Sequence, residues 1–417
     1  MSIQRTTCSR TTRPAAWVSL WCALCGVLAL PGAALADDPS ASAGHGRRFY
    51  LMHPETGSGA IETQRFKLEL RGEVQFRAAA VFGADGPFSD DPVTGFETGR
   101  VRLGVSGYVL SDKLTFSGLT SFSRSTGRLG LLDAYARYKL ADGVKIRFGQ
   151  FLPPYDREFS RTFAVNTQGI DRSLVSTQFR LNRSQGISAE FEGDRMRAFF
   201  TVSDGRNGLN TAFPSERDAE IALTSRFEWR AGEAPWSQFV TQAAFRGDTP
   251  GALFGLAGHW QQEGADLAPT SGTGMPTTNL FLYSADAGVE MDGWNAVAMF
   301  SGRVIDGGDQ TLHDTALVLQ AGAFVSERAE LFARYEHLFF DSDRGGESDD
   351  FDAVTLGANW YLIPGSQAFR VTGEARWFPE AADESAAVIP APVATVELLP
   401  DRSGGQFAII GQVQMLF

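Results

Sequence analysis

Cysteine is scarce in this chain, and all three residues (Cys8, Cys22 and Cys25) lie within its first 25 positions. That stretch reads as a secretory signal peptide over residues 1–36. Arg5, Arg10 and Arg13 precede an apolar run from Ala15 to Leu30, which is followed by Pro31-Gly32 and an Ala34-Leu35-Ala36 cleavage site. Cleavage after Ala36 leaves no thiol, which excludes a disulfide framework and a thiolate metal centre. No lipoprotein-type Leu-small-Gly-Cys pattern surrounds Cys22 or Cys25. The apolar run is short of the roughly twenty residues of a membrane-spanning helix, and no second run follows it.

Positive charge is also in deficit. Lys and Arg number 37 against 49 Asp and Glu, a net charge of −12. Loss of the three signal arginines takes this to 34 − 49 = −15. A nucleic-acid partner is therefore not expected. The five histidines (His45, His53, His259, His313 and His337) show no metal spacing, and no phosphate-cradling glycine loop is present. His259 and His337 fall in predicted strands without an evident nucleophile, so neither an enzyme nor a cofactor is expected. Helical periodicity long enough for a soluble domain is missing, as is the fixed-length repeat of a propeller. The connections are too long for a β-sandwich.

What the chain does have is alternation. Phe66, Leu68, Leu70, Val74, Phe76 and Ala78 oppose Lys67, Glu69, Arg71, Glu73, Gln75 and Arg77. The last residues repeat the pattern: Phe407, Ile409, Gly411, Val413, Met415 and Phe417 share one face, with Gln406, Gln412 and Gln414 on the other. Similar dyads recur along the whole chain, so mean hydropathy stays near zero at −0.13 despite 32 phenylalanines. An apolar face backed by a polar one suits a strand with lipid outside and water inside.

Connections alternate in length. Short ones are expected near 111–112, 141–143, 193–194, 292–293, 326–328 and 363–367. Long ones are expected near 81–96, 123–129, 153–183, 203–217, 262–279, 305–313, 339–350 and 379–404. Residues 231–251 fit this scheme as an enlarged short-side connection. The expected fold is thus all-β: a transmembrane antiparallel β-barrel of about sixteen strands over residues 66–417, preceded by a polar periplasmic leader at 37–65. The long loops would be extracellular and the terminal strand would end beside Phe66. Trp229, Trp260, Trp294, Trp360 and Trp377 lie near strand ends, as interfacial anchors would.

Several motifs resemble the phosphate-selective porin O and P family. They are Arg100-Val-Arg102-Leu-Gly104, Asp133-Ala-Tyr135, Arg147-Phe-Gly149-Gln150-Phe151-Leu-Pro153-Pro154-Tyr155 and Ile170-Asp171-Arg172-Ser173. The resemblance is strongest over 97–205 and implies a sixteen-stranded outer-membrane channel, a general or anion-preferring pore, and a homotrimer. The expected partners are outer-membrane lipids and small anionic or polar solutes, phosphate among them.

Guanidinium forks match the oxygens of such anions, and rings of Arg and Lys give pores anion selectivity. Arg100, Arg102, Arg137, Lys139, Lys145 and Arg147 have lumen-facing parity, as do Arg195 and Arg197. Arg157, Arg161, Arg172 and Arg180 lie in the 153–183 segment, which is longer than a connector needs and can fold inward. Glu69, Glu73, Glu190, Glu192, Glu330 and Glu336 share the lumen parity and oppose the field. The acidic stretch 341–352 partly matches a calcium loop but lacks the fifth ligand, and reads as a solvated surface loop. A structural or adhesive barrel with an occluded lumen is the alternative to a channel.

Overall fold

The computed structural model describes residues 48–50, 59–63, 65–83, 92–215, 218–262, 279–307, 310–344, 350–380 and 404–417. All of them lie in one compact unit, Arg47–Phe417. The expected signal peptide and most of the leader lie outside the described residues.

Sixteen long strands make up the wall: β1 (Phe66–Phe82), β2 (Val93–Val109), β3 (Ser111–Phe122), β4 (Leu129–Ala141), β5 (Val144–Phe151), β6 (Ser184–Glu192), β7 (Met196–Ser203) and β8 (Ile221–Gly232). They continue with β9 (Gly251–Gln262), β10 (Asn279–Met291), β11 (Trp294–Asp306), β12 (Thr311–Phe324), β13 (Ala329–Phe339), β14 (Asp350–Tyr361), β15 (Phe369–Phe378) and β16 (Gln406–Leu416). Each pairs antiparallel with the next, and β16 pairs back onto β1, so the sheet closes. The architecture is the expected transmembrane antiparallel barrel, with no free edge between first and last strands.

Short and long connections alternate between the two ends, as the sequence indicates. At Asp142-Gly143 and Asp292-Gly293 the glycines take φ of +72° and +80°, which side-chain-bearing residues adopt only with strain. Outside the wall, Phe76, Leu103, Phe148, Phe200, Leu256 and Leu356 remain exposed. Trp229, Trp294, Trp360 and Trp377 do too, and a band of this size needs lipid rather than water.

The terminal strand ends higher on β1 than the alternation suggests. Leu416 is opposite Glu73, and Phe417 exchanges backbone hydrogen bonds with Gly72 rather than meeting Phe66. The lower edge of β1, Phe66–Leu70, is covered instead by a short strand at Gly59–Thr63. That strand pairs in turn, antiparallel, with Arg48–Tyr50, so two short stretches of the apparently aperiodic leader join the ladder.

The largest buried apolar cluster lies inside the barrel. Tyr155, Ile170, Leu174, Val175 and Phe179 of the long 152–183 connection pack with Leu280, Leu282, Val318, Leu338, Phe351 and Ile410. These wall residues have lumen-facing parity. The connection therefore folds inward and is seated on an apolar patch of the inner wall, each buried side chain contributing roughly 1.5–3 kcal/mol.

Candidate functional site in the barrel lumen

The inward segment starts where the ladder has to stop. Pro153 and Pro154 have no N–H to donate, so β5 ends at Phe151. Asp156 then caps a single wide turn at Arg157–Arg161, its carboxylate accepting from the Phe159 N–H. Burial pushes the Asp156 carboxyl up to about 6. A short helix, α1 (Leu174–Phe179), is capped by Ser173, whose hydroxyl accepts from Ser176 N at 3.0 Å. Glu158 accepts in turn from the backbone N–H of Ser173 at 3.0 Å and from its hydroxyl.

Acids on the wall hold this segment on one side. Glu228 of β8 binds Arg161 at 2.9 Å and Glu290 of β10 binds Arg157 at 3.3 Å. Glu330 of β13 accepts from Gln168 at 2.6 Å, Glu336 from Leu174 N, and Glu374 of β15 from Ile170 N at 2.9 Å. Bases hold it on the other side: Arg77 of β1 and Arg100 of β2 both bind Asp171, each at 3.0 Å. The glutamines of β16 belong to the same seam. Gln412 accepts from Arg77 at 2.6 Å, while Gln414 bonds Gln75 and the Val165 carbonyl.

The enlarged connection 233–250 comes from the short-turn end and meets the inward segment. Gln242 donates its N–H to Asn166 O at 2.9 Å and accepts from Gln168 N at 3.0 Å. Phe239 to Phe245, a stretch with strand-like alternation, instead holds a short turn at Gln238–Val240 that buries Phe239 beside Ala234 and Leu253.

Burial separates the two halves of the wall. From Ile221 to Trp229 of β8 the pattern alternates between exposed and buried, because the filled lumen covers the inward residues there. Along β3 the residues are mostly intermediate on both faces, so the inner side there is not packed over. The arginines follow the same division: Arg226 and Arg334 retain no side-chain exposure. Arg102, Arg137 and Lys145 keep 18, 30 and 33%. The accessible inner wall is thus the β2–β6 side.

The sequence-selected cations divide accordingly. Arg137 and Arg147 share Glu190 at 2.9 and 2.7 Å, and Arg147 lies over the rings of Tyr135 and Phe151. Arg102 is 3.7 Å from Glu73, Lys145 is 3.8 Å from Glu192, and Lys139 binds Asp142 at the turn. Arg100, Arg157 and Arg161 are tethers, not free pore charges. Arg195 is at the exposed turn near Glu233, and Arg197 binds Glu192.

Arg172 and Arg180 form no ion pair with a carboxylate among the described residues. They lie over the Phe159 ring at 4.5 and 5.0 Å, and Arg172 also donates to the carbonyls of Glu158, Phe159 and Thr162. Burial, reinforced by Arg100 and Arg102, brings the Arg172 pKa down to about 9, so its charge persists at neutral pH. The shared lumen is a mixed field in which basic groups outnumber open acids on the β2–β6 side.

The remaining candidates are structural in their contacts. His259 is buried, its ring nitrogens bonded to Thr224 and Gln261. His337 pairs with Asp352 at 2.7 Å on the outer rim. Asp341 uses its oxygens for the N–H groups of His313 and Asp343, and residues 345–349 of the acidic loop lie outside the described residues. Among the described residues no group of three or more His, Cys, Asp or Glu side chains could hold a metal.

The sequence model of the phosphate-selective porin O and P family matches residues 73–223, which carry the Arg100, Arg147 and Asp171 motifs. No curated protein matches the chain in sequence. Solved barrels do match in fold. The anion-selective porin from Comamonas acidovorans superposes with a TM-score of 0.56 at 14% identity, covering 84% of this chain and 100% of its own. The outer membrane channel DcaP of Acinetobacter baumannii gives 0.55 at 12% identity, covering 85% and 98%. A trimer form of OmpT from Vibrio cholerae gives 0.51 at 14% identity, covering 85% and 100%.

Proposed function

We propose that this chain is an outer-membrane diffusion channel for small hydrophilic solutes, with a preference for anions and no covalent chemistry. One observation carries the reading most of the way. The inward segment is fastened to the acidic side of the lumen, which consumes Glu228, Glu290, Glu330, Glu336 and Glu374. The accessible wall opposite keeps Arg102, Arg137, Lys139 and Lys145 over the buried Arg147, with Arg172 and Arg180 on the segment.

An anion on this path would exchange hydration for guanidinium contacts that are already partly shared with carboxylates. Such contacts attract without trapping, and conduction requires both. Phosphate is one solute the field would accept. Delivery to the outer membrane by the N-terminal signal and assembly as a homotrimer complete the proposal. Its support is the exposed apolar band and the family match.

Purified protein in liposomes tests the channel. Vesicles should swell in an isotonic solution of a small sugar or amino acid faster than empty vesicles. Swelling no faster than the control would favour the structural barrel with an occluded lumen, a reading kept alive by the contact between Asn166 and Gln242.

A further inference from the structure

A cleft of about 350 Å³ opens at the short-turn mouth, between the inward segment and the ends of β1, β2 and β16. Its lining joins cations and acids (Arg71, Arg102, Glu69 and Glu73) to an apolar wall that includes Leu119, Phe163 and Val165. Two features mark it. Phe163 keeps 56% of its surface exposed, although it sits on the segment that buries nearly everything else inside the barrel. The cations beside it also have unused hydrogen-bonding capacity.

Arg71 makes no hydrogen bond or ion pair among the described residues, and its guanidinium lies 5.7 Å from the centre of the Phe163 ring. Arg102 makes no hydrogen bond among them either. Its Nε is buried without an acceptor, as are those of Arg137 and Arg147, but its nearest carboxylate, on Glu73, stays 3.7 Å away. Every other strand arginine on the accessible wall, Arg137 and Arg147 included, is already committed to a carboxylate at hydrogen-bonding distance.

We infer that this cleft is a binding subsite for small aromatic monocarboxylates. The inference rests on the channel reading and names a solute class for it. The carboxylate would be received by the Arg71 and Arg102 forks, which bind its two oxygens in one plane. The solute ring would lie against Phe163, Leu119 and Val165, removing apolar surface from water on both partners.

The charge count argues against inorganic phosphate here. Lys67 offsets Glu69 at 3.3 Å and Arg102 offsets Glu73, leaving the single charge of Arg71. One net positive charge suits a monoanion. A divalent anion would meet two carboxylates in the same cleft and gain nothing from the apolar wall.

The test uses full-length protein in planar bilayers and in nanodiscs, with benzoate, acetate and inorganic phosphate as probes. Benzoate added from the short-turn side should interrupt the current at about ten-fold lower concentration than either of the others. Phe163→Ala and Arg71→Gln should each weaken that block by about ten-fold, with folding verified by the heat-dependent shift in gel mobility. Equal block by the three probes, or block untouched by both substitutions, overturns the subsite. Calorimetry in nanodiscs separates the two readings. Benzoate binding without any current keeps the subsite and sinks the channel, while current without benzoate binding does the reverse.

Discussion

Arg100 and Asp171 are joined at 3.0 Å inside the lumen, with Arg77 on the same carboxylate oxygen. The arginine that sequence parity places on the pore wall is therefore a tether for the segment that fills the pore. The contact is one of the fastenings that hold the segment across the lumen.

Asp171→Asn should loosen that tether. It takes from two buried guanidiniums the carboxylate they share, a loss of roughly 3 kcal/mol for a buried pair broken on one side. The expected outcome is a larger single-channel conductance and faster proteolysis within 157–180, with the barrel itself intact. Unchanged conductance and proteolysis would mean that the acids of β8–β15 hold the segment unaided.

Glu190→Gln addresses the open wall. Glu190 neutralises Arg137 and Arg147 together, so its removal leaves the half-exposed Arg137 and the buried Arg147 beneath it without that counter-charge. The chloride-to-potassium permeability ratio should rise by about two-fold at low salt and less at high salt, as screening requires. A fall in that ratio would place the conduction path elsewhere.

The Asp156 carboxyl, raised to about 6 by burial, gives the inward segment a pH dependence. Arg172 and Arg226 favour its charged form, Glu158 opposes it, and the Phe159 N–H is its capping donor. A raised carboxyl pKa stabilises the folded state below its ordinary value near 4, and that contribution disappears as pH rises through about 6. The full difference is roughly 3 kcal/mol at 1.36 kcal/mol per unit. Amide exchange over 157–162, corrected for intrinsic rates, should show more protection at pH 4 than at pH 8. Asp156→Asn, which keeps the cap but cannot ionise, should abolish the difference.

Gly72 and Phe417 make a fourth test. A Cβ on Gly72 would fall 2.3 Å from the Phe417 ring, so Gly72→Val must displace the terminal aromatic. Refolding yield, read from the heat-dependent gel shift, should drop, and should drop likewise on deleting Phe417. A normal yield for both would remove the terminal ring from the assembly process.

The wall was legible because lipid imposes one rule on every strand. Period-two alternation places the strand from Phe66 and the terminal one at Phe407–Phe417, observed as Gln406–Leu416, and turn chemistry places Asp142-Gly143 and Asp292-Gly293. The filling was harder to read. Leu280, Leu282, Val318, Leu338, Phe351 and Ile410 are apolar on the lumen parity, a sign that this side of the pore is covered. A reading that treats every lumen position as wet passes over that sign. Likewise Gln412 and Gln414 look like bare pore wall in the sequence, yet they are bonded to Arg77 and the inward segment. Pairings such as Arg100 with Asp171 span 71 residues and leave no trace in local pattern.

The most direct measurement is the reversal potential of the refolded protein in a planar bilayer under a KCl gradient. Open-channel current is expected, with a reversal potential of the sign of chloride preference. Absence of conductance would contradict the channel itself, and potassium preference would contradict the role assigned to the basic β2–β6 wall.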